Sequence, residues 1–316
     1  MTEKIKMGIA RCLMGEKVRY DGGHKHDRYI TQTLGNYFDF VPVCPEMECG
    51  MPVPRESMRL EGDPAAPRLM THKTRRDLTP MMQEWGVEKL KELEKEDLCG
   101  YIFKTRSPSS GMERIAVYGE DKTVRKNGVG IWARMFKDHF PLLPVEDEGR
   151  LHDPGLRENF ITRVFVMKRW RDMIAGGYDA GKLVDFHTRH KLLILAHSQQ
   201  HYRQMGPMVA KIREQKPEDF FPAYLEILTQ ALALKTTPAK NINVLQHMMG
   251  YFKKQLSPDE KQELLELMYQ YRQGAVPLIV PITLIKHFVR KYDQPYLKEQ
   301  LYLYPHPLEL GLRNHG

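Results

Sequence analysis

Two cysteines, two carboxylates and an arginine lie in one proline-rich segment, residues 43–55 (VCPEMECGMPVPR). Within it, Cys44 and Cys49 flank Glu46. Prolines restrict the backbone, so such a segment can hold its side chains in place at little further entropy cost. Two thiols five residues apart on a stiff loop indicate a pair of metal or cluster ligands. A structural turn with two buried thiols would show the same pattern, since free cysteine is often a small buried hydrophobe.

Short apolar runs and helical patterns predict the elements that must position this segment. In the first half we predict strands at residues 5–10, 37–43 and 100–104, a long loop at 46–78, and helices at 79–98 and 128–137, the first of them opened by Thr79 as N-cap and Pro80. Strands that alternate with helices imply right-handed crossovers and a parallel sheet. Residues 1–148 are therefore expected to form an α/β domain with a parallel, Rossmann-like sheet.

Special residues follow the ends of the three predicted strands. Cys12 comes after the first strand, Cys44 after the second, and the serine-rich residues 107–111 after the third. In open α/β sheets, binding sites form beyond the carboxyl ends of the strands. We therefore predict that three loops converge on one pocket. Cys99 precedes a strand instead, and we interpret it as a buried structural cysteine.

The thiols of Cys12, Cys44 and Cys49 could together form a three-thiolate site. Zinc is usually held by four protein ligands in structural sites and by three in catalytic ones. Iron–sulfur clusters are also held by thiolates, and a C-x4-C spacing occurs among them. The residues alone do not decide between zinc and an iron–sulfur cluster. Three histidines flank these loops and could be zinc ligands or substrate-side groups: His24, His26 and His72.

Three sequence blocks in this half, ARCLMGEKVRYDGG, VPVCPEMECGMPVPRE and FKTRSPSSGM, resemble the signature blocks of the TudS-type thiouracil desulfidase family. The resemblance spans about residues 5–148. It implies a 4Fe-4S cluster on three cysteines, whose fourth iron takes the sulfur of a thiolated pyrimidine. The family carries its third cysteine in an SPSCG block, where this chain has Ser110, and Cys49 stands where the family has glycine. We therefore predict Cys12, Cys44 and Cys49 as the cluster ligands.

The same resemblance implies roles for other residues of these blocks. Glu46 is expected to be the catalytic acid or base, and Ser107 is expected to hydrogen-bond the nucleobase or a water. Six further residues are predicted to bind substrate: Arg19, Asp21, Glu48, Arg55, Ser109 and Ser110.

The sequence pattern of the second half of the chain predicts helices throughout. We take residues 149–182 as a linker and connecting helix and residues 183–316 as an all-α domain. The stretches FHTRHKLLILAHSQQHYRQMG and NVLQHMMGYFKKQLSPDEK are similar to the YbgA-like domain family. Basic residues interleave with aromatic ones here, a pattern typical of RNA binding. The predicted RNA contacts are Lys191, Lys240, Lys253, Lys254, Arg272, Lys286 and Arg290.

Four histidines share one face of a predicted long helix at residues 182–204. They are His187, His190, His197 and His201. A zinc site on this face is conceivable, but no glutamate follows in the manner of a metalloprotease helix. We favour the interpretation that these histidines are partly buried and hydrogen-bonded. Contacts to phosphates are a further possibility.

Composition narrows the class of protein. The chain has 316 residues and a formal net charge of +8, which favours a polyanionic partner such as nucleic acid. It has no apolar run long enough for a transmembrane helix and no signal-peptide core, so we expect a cytoplasmic protein without membrane contact. Four cysteines in a chain of this length do not indicate a disulfide framework.

The two-domain arrangement resembles the RudS type of tRNA 4-thiouridine desulfidases. It implies conversion of 4-thiouridine in tRNA to uridine with release of sulfide, and docking of the tRNA on the helical domain. One alternative is a desulfidase of free thiouracil or 4-thiouridine monophosphate. Another is a zinc-bearing RNA-binding protein without catalytic activity.

Overall fold

The computed structural model describes residues 4–119, 123–307 and 310–314. The chain divides into two compact units, Met1–Asp153 and Pro154–Gly316. Residues 154–182, which the sequence assigned to a linker and connecting helix, lie within the second unit.

The first unit contains strands and helices in alternation. In chain order they are β1 Ile5–Ala10, β2 Phe38–Val43, α1 Pro45–Glu48, β3 Met58–Glu61, β4 Arg68–Thr71, α2 Thr79–Glu94, β5 Tyr101–Phe103, β6 Ile115–Tyr118, β7 Val124–Gly128, α3 Ile131–His139 and β8 Val145–Asp147.

Four of these strands form an entirely parallel sheet in the order β2-β1-β5-β8. Strand β1 lies beside β2 over its whole length, from Ile5 opposite Phe38 to Ala10 opposite Val43. All three residues of β5 are buried, as expected for a parallel strand with both faces covered. The predicted parallel α/β architecture is therefore confirmed.

A glycine in β1 lets the aromatic core close over the sheet. A Cβ atom on Gly8 would lie 2.2 Å from the Tyr101 ring, so only glycine fits beside this ring. The ring centre of Phe136 lies 4.5 Å from that of Tyr101, and the indole of Trp132 donates a hydrogen bond to the Tyr101 hydroxyl at 3.2 Å. Helix α3, which carries Trp132 and Phe136, is thereby fixed to the sheet.

A second sheet corrects the prediction of one long loop at residues 46–78. Its strand order is β4-β3-β6-β7, with β3 and β6 parallel and the other pairs antiparallel. The sequence signal was weak because β3, β4 and β6 have four residues each and β7 is polar and mostly exposed. Strand β8 was likewise missed, because it has only three residues and two of them are acidic (VED).

Two helix boundaries in this unit also differ from the sequence expectation. Helix α2 begins at Thr79 and ends at Glu94, and Leu78 is its N-cap residue. The Thr79 hydroxyl accepts a hydrogen bond from the Leu69 amide at 2.7 Å, so it serves strand β4 and does not cap its own helix. Helix α3 begins at Ile131, later than the predicted residue 128.

The second unit is all helical in its described residues, as predicted. Its helices are α4 Pro154–Ile174, α5 Ala180–His197, α6 Gln199–Ala210, α7 Pro217–Ala233, α8 Pro238–Gly250, α9 Pro258–Arg272, α10 Ile279–Lys291 and α11 Pro295–Lys298. Ser257 caps α9 in a reciprocal capping box with Glu260. No helix in the described part of the chain is both long and apolar enough to cross a membrane.

The predicted long helix at residues 182–204 is wrong, because it is broken at Ser198. This residue has extended backbone angles (φ −154°, ψ 111°), and its side chain accepts a hydrogen bond from the His201 amide as the N-cap of α6. No proline or glycine marks the break. The helical spacing of the sequence continues across it, so the sequence predicted a single helix. His197 and His201 therefore belong to different helices.

Three of the four histidines are buried and hydrogen-bonded, as favoured from the sequence. The Nδ1 atoms of His187, His190 and His197 lie 3.1, 2.7 and 2.7 Å from the Tyr224 hydroxyl, the Phe186 carbonyl and the Leu234 carbonyl, respectively. Burial lowers the pKa of His187 and His197 to about 4 and that of His190 to about 3.

Candidate active site

A cavity of about 1020 Å³ lies at the carboxyl end of the parallel sheet. The loops that follow β1, β2 and β5 line it through Cys12, Cys44 and Ser107. The predicted convergence of three loops on one pocket is therefore confirmed. The segment after β8 adds a fourth wall that the sequence analysis did not identify.

Cys12 and Cys44 present buried thiols to this cavity. Cys12 lies in the 3₁₀ turn Arg11–Met14 directly after β1, and Cys44 directly precedes α1. Burial raises the pKa of Cys12 to about 11, and burial together with the Glu46 charge raises that of Cys44 to about 12. Burial of the two thiols thus disfavours a free thiolate nucleophile at this site.

Cys49 lies at the end of α1 and does not line the cavity. Its thiol donates to the Glu46 backbone carbonyl at 3.4 Å. Among the described residues, no group of three His, Cys, Asp or Glu side chains is close enough together to hold a metal ion. The fourth cysteine, Cys99, is buried ahead of β5 and lines no part of the cavity, as the sequence predicted.

Glu46 is held by a chain of hydroxyl groups from the serine loop, residues 107–111. The Ser109 hydroxyl donates to Glu46 Oε1, and the Ser107 and Ser109 hydroxyls lie 2.8 Å apart. The other carboxylate oxygen, Oε2, is 3.5 Å from the Cys44 thiol and 3.9 Å from Arg55 Nη2. The Glu46 carboxylate, the Cys44 thiol and the Ser107 hydroxyl, which line the cavity, are thus connected, with the Ser109 hydroxyl buried between Glu46 and Ser107.

Helix α3 fixes the serine loop from behind. The amide of Ile131 donates to the Pro108 carbonyl at 3.3 Å, and that of Ala133 donates to the Ser109 carbonyl at 3.1 Å. These first-turn amides have no partner within their own helix, so the loop carbonyls satisfy them. A Cβ atom on Gly130 would lie 2.3 Å from the Ser109 carbonyl oxygen. The approach of helix to loop therefore requires glycine at this position.

The predicted substrate-binding residues divide into two groups. Arg19, Arg55 and Ser110 line the cavity. Asp21, Glu48 and Ser109 do not.

Each residue of the second group has a different environment. The side chain of Asp21 is exposed and accepts from the Gly23 amide at 3.0 Å. The Glu48 carboxylate accepts from the Cys44 amide at 2.8 Å and pairs with Arg11 and Lys89, both at 3.1 Å. Glu48 therefore fixes the start of α1, while Ser109, with no exposed surface, holds Glu46.

The three histidines considered as zinc ligands, His24, His26 and His72, are exposed and line no part of the cavity. His26 Nε2 instead lies 2.9 Å from the Thr31 hydroxyl.

Charged residues after β5 and β8 were missed. Lys104 pairs with Glu148, and the other carboxylate oxygen of Glu148 accepts from the Thr105 amide at 2.7 Å. Arg106 and Arg150 line the same wall. Lys104 and Arg106 stand within the block FKTRSPSSGM and could have been found there, whereas Glu148 and Arg150 depend on recognising β8.

The predicted RNA contacts are spread over the helical unit. Lys253, Lys254, Arg272 and Arg290 are exposed, and Lys191 and Lys286 are half-buried. Lys240 instead makes structural hydrogen bonds: its ammonium donates to the His197 and Lys235 carbonyls at 2.7 and 2.8 Å. RNA binding by this set stays a prediction.

Comparison with known proteins gives matches in separate regions. Residues 7–148 match the family described as 2-thiouracil desulfurase, and residues 191–307 match the family described as protein of unknown function DUF1722. The uncharacterized protein YbgA of Escherichia coli (strain K12) is 34% identical over 160 residues, which cover 50% of this chain and 95% of YbgA. A solved structure of the 4Fe-4S-dependent thiouracil desulfidase TudS is similar at 24% identity and a TM-score of 0.39, covering 48% of this chain and 95% of that one.

Both resemblances drawn from the sequence blocks are thereby confirmed. The chain belongs to the YbgA family, and the region that matches the 2-thiouracil desulfurase family precedes the region that matches DUF1722.

Proposed function

We propose that this protein removes sulfur from 4-thiouridine in tRNA and leaves uridine. The observation that carries the proposal is the cavity at the sheet edge, where Cys12, Cys44 and Ser107 converge within the region that matches the desulfurase family. The overall reaction replaces C4=S by C4=O, consumes one water and releases hydrogen sulfide, so it needs no external oxidant or reductant.

The proposed cofactor is a 4Fe-4S cluster held by Cys12, Cys44 and Cys49. Two of these thiols already share the cavity, and soft thiolates suit iron–sulfur groups. Cys49 joins them only if its thiol leaves the Glu46 carbonyl and turns toward the cavity. When bound through three cysteines, such a cluster supplies an open iron that acts as a Lewis acid toward sulfur.

Glu46 is the proposed acid or base for the water that attacks C4. A general base must lie within hydrogen-bond reach of the proton it takes, and Glu46 lines the cavity beside the Cys44 thiol. The Ser109 hydroxyl fixes Oε1, and Ser107 extends this chain of hydroxyls to the cavity surface. Ser109 is thus a positioning residue, whereas Ser107 and Glu46 face the substrate.

Several cations that line the cavity suit a substrate that carries phosphates. Arg19, Lys25 and Arg106 line the cavity, and none of them forms an ion pair with a cavity-lining carboxylate in the described part of the chain. Arginine and lysine are the usual partners of phosphate oxygens. A volume of about 1020 Å³ is also at the upper end of small-ligand pockets, which favours a nucleotide over a free base.

Anaerobic assays on 4-thiouridine monophosphate, with sulfide release as the readout, test the chemistry. We expect Glu46→Gln to retain iron and sulfide but to lose about 10²-fold or more in kcat. Ser109→Ala should lower kcat less, because it acts through Glu46. As a control for hydroxyl removal, Ser257→Ala affects only the cap of α9 and should leave kcat unchanged. Full turnover by a Glu46→Gln protein with an intact cluster would remove Glu46 from the mechanism.

A further inference from the structure

Tyr20 is the only aromatic residue among the described residues that line the cavity at the sheet edge. It is 46% exposed, although a tyrosine ring is a large apolar surface. Its hydroxyl has no hydrogen-bond partner in the part of the chain that the structure describes. An exposed aromatic ring inside a ligand-sized cavity is a surface that a planar ligand can cover.

One contact of the Tyr20 ring is with a cation. The guanidinium carbon of Arg19 lies 5.6 Å from the ring centre, within the range of a cation–π contact. No second aromatic ring packs against Tyr20 among the described residues. The exposed part of the ring is therefore available to a ligand in the cavity.

The turn that carries Tyr20 has a well-fixed backbone. The Arg19 amide donates to the Gly23 carbonyl at 3.1 Å, and the Gly22 amide donates to the Arg19 carbonyl at 2.9 Å. Gly22 has a φ of 75°, in the left-handed region that favours glycine. Because the turn is already ordered, a ligand that covers the ring has little further backbone to immobilise.

Arg55 connects this turn to the segment that carries Glu46. The Arg55 amide donates to the Tyr20 carbonyl at 2.8 Å, and Arg55 Nη1 donates to the Val18 carbonyl at 3.0 Å. The Nη2 atom of the same guanidinium is 3.9 Å from Glu46 Oε2. One arginine thus contacts both the turn below the aromatic ring and the proposed acid or base. A ligand that lies on the ring is thereby held close to the site of the proposed chemistry.

We propose that Tyr20 binds the substrate by stacking on its pyrimidine ring. Aromatic side chains commonly hold unpaired or flipped-out bases in this way, and the thiolated base must enter this cavity for C4 to reach Glu46. The inference rests on the proposed function and adds a binding residue to it. Because stacking acts on the base before and during the reaction alike, Tyr20 contributes to substrate affinity and not to kcat.

Binding of the product base tests this contact without turnover. Uridine monophosphate is titrated by calorimetry against the full-length wild type, Tyr20→Leu, Tyr20→Phe and Tyr269→Leu, all purified anaerobically. We expect Tyr20→Leu to raise the Kd about tenfold, because it removes base–aromatic stacking. Tyr20→Phe retains the ring and should keep the wild-type Kd. Tyr269 on α9 is 62% exposed and controls for the loss of an exposed tyrosine.

Turnover of 4-thiouridine monophosphate gives a second, independent readout. Tyr20→Leu should raise KM about tenfold at nearly unchanged kcat, the pattern of an interaction that is equal in ground and transition states, and Tyr20→Phe should behave as the wild type. Both substitutions leave the carbonyl that Arg55 holds in place. Should Tyr20→Leu fail to fold, Tyr20→Gln, which suits an exposed position, replaces it.

The outcomes separate this proposal from the proposed function. An unchanged Kd in Tyr20→Leu, an equal rise in Tyr20→Phe or Tyr269→Leu, or no binding of uridine monophosphate to the wild type would overturn the stacking role. If no variant releases sulfide but Tyr20→Leu still raises the Kd, the proposed reaction is wrong and Tyr20 remains a base-binding residue.

Discussion

Ser110 stands at the third-ligand position of the TudS-type pattern, and Cys49 offers a thiol five residues after Cys44. The structure gives these two residues different surroundings. Ser110 is 3% exposed and lines the cavity, whereas Cys49 is half-buried and does not line it. At the scale of single residues, the cluster assignment therefore depends on whether Cys49 turns inward when the cluster binds.

An exchange of the two positions tests this dependence. Cys49→Ala should lower iron and acid-labile sulfide per chain to near background after anaerobic purification, because two thiolates hold a cluster poorly. The double substitution Cys49→Ala/Ser110→Cys should restore both, because position 110 lies on the cavity wall. Cys99→Ala is the matched control, since it removes a buried thiol away from the cavity and should leave the cluster content unchanged.

Unchanged iron and sulfide in the Cys49→Ala protein would contradict the assignment of Cys49. Failure of Ser110→Cys to rescue would contradict the idea that the two positions serve one cluster.

At the scale of elements, α3 holds the serine loop through a close approach at Gly130. Gly130→Ala would place a methyl group against the Ser109 carbonyl, so we expect destabilisation by about 1–3 kcal/mol, as for overpacked sites. Gly35→Ala is the matched control in the same unit, because its Cβ meets nothing closer than 3.8 Å. Urea midpoints of the two variants measure the difference. Equal midpoints would contradict the claim that this approach is tight.

The buried histidines of α5 predict a pH dependence of stability. The unfolded chain takes up protons at these residues near pH 6.5, whereas in the folded protein the pKa of His187 and His197 is about 4 and that of His190 about 3. Protons therefore bind the unfolded state first, and stability is lost as the pH falls below about 6.5. Each histidine contributes up to about 1.4 kcal/mol per pH unit in that range.

Urea unfolding between pH 7 and pH 5 measures this loss. His187→Gln should flatten the pH dependence, because glutamine can hydrogen-bond the Tyr224 hydroxyl without titrating. His287→Gln, which changes an exposed histidine on α10, should leave it as in the wild type. The same slope in all three proteins would contradict the assignment to buried α5 histidines.

Elements with a strong local signal were predicted well. The continuous apolar run of β1 was placed at Ile5–Ala10, as observed, and the sequence placed Cys12, Cys44 and the serine loop at strand ends. The second sheet and β8 were missed because their strands have three to five residues and gain stability only by pairing with distant strands. The pairing of Lys104 with Glu148 across two strands leaves no pattern in the sequence.

At the scale of the whole molecule, the chain joins an α/β unit to a helical unit of similar size. The formal net charge of +8 favours a polyanionic partner, and a free nucleotide gives no reason for a second domain. The proposed activity on tRNA follows from this combination.

The most direct measurement compares two substrates under identical anaerobic conditions. The purified protein is given tRNA that carries 4-thiouridine or free 4-thiouridine monophosphate, and sulfide and uridine are quantified together. We predict one sulfide for each uridine formed and a higher kcat/KM for the tRNA. No sulfide from either substrate would contradict desulfidase activity, and faster turnover of the monophosphate would contradict tRNA as the substrate.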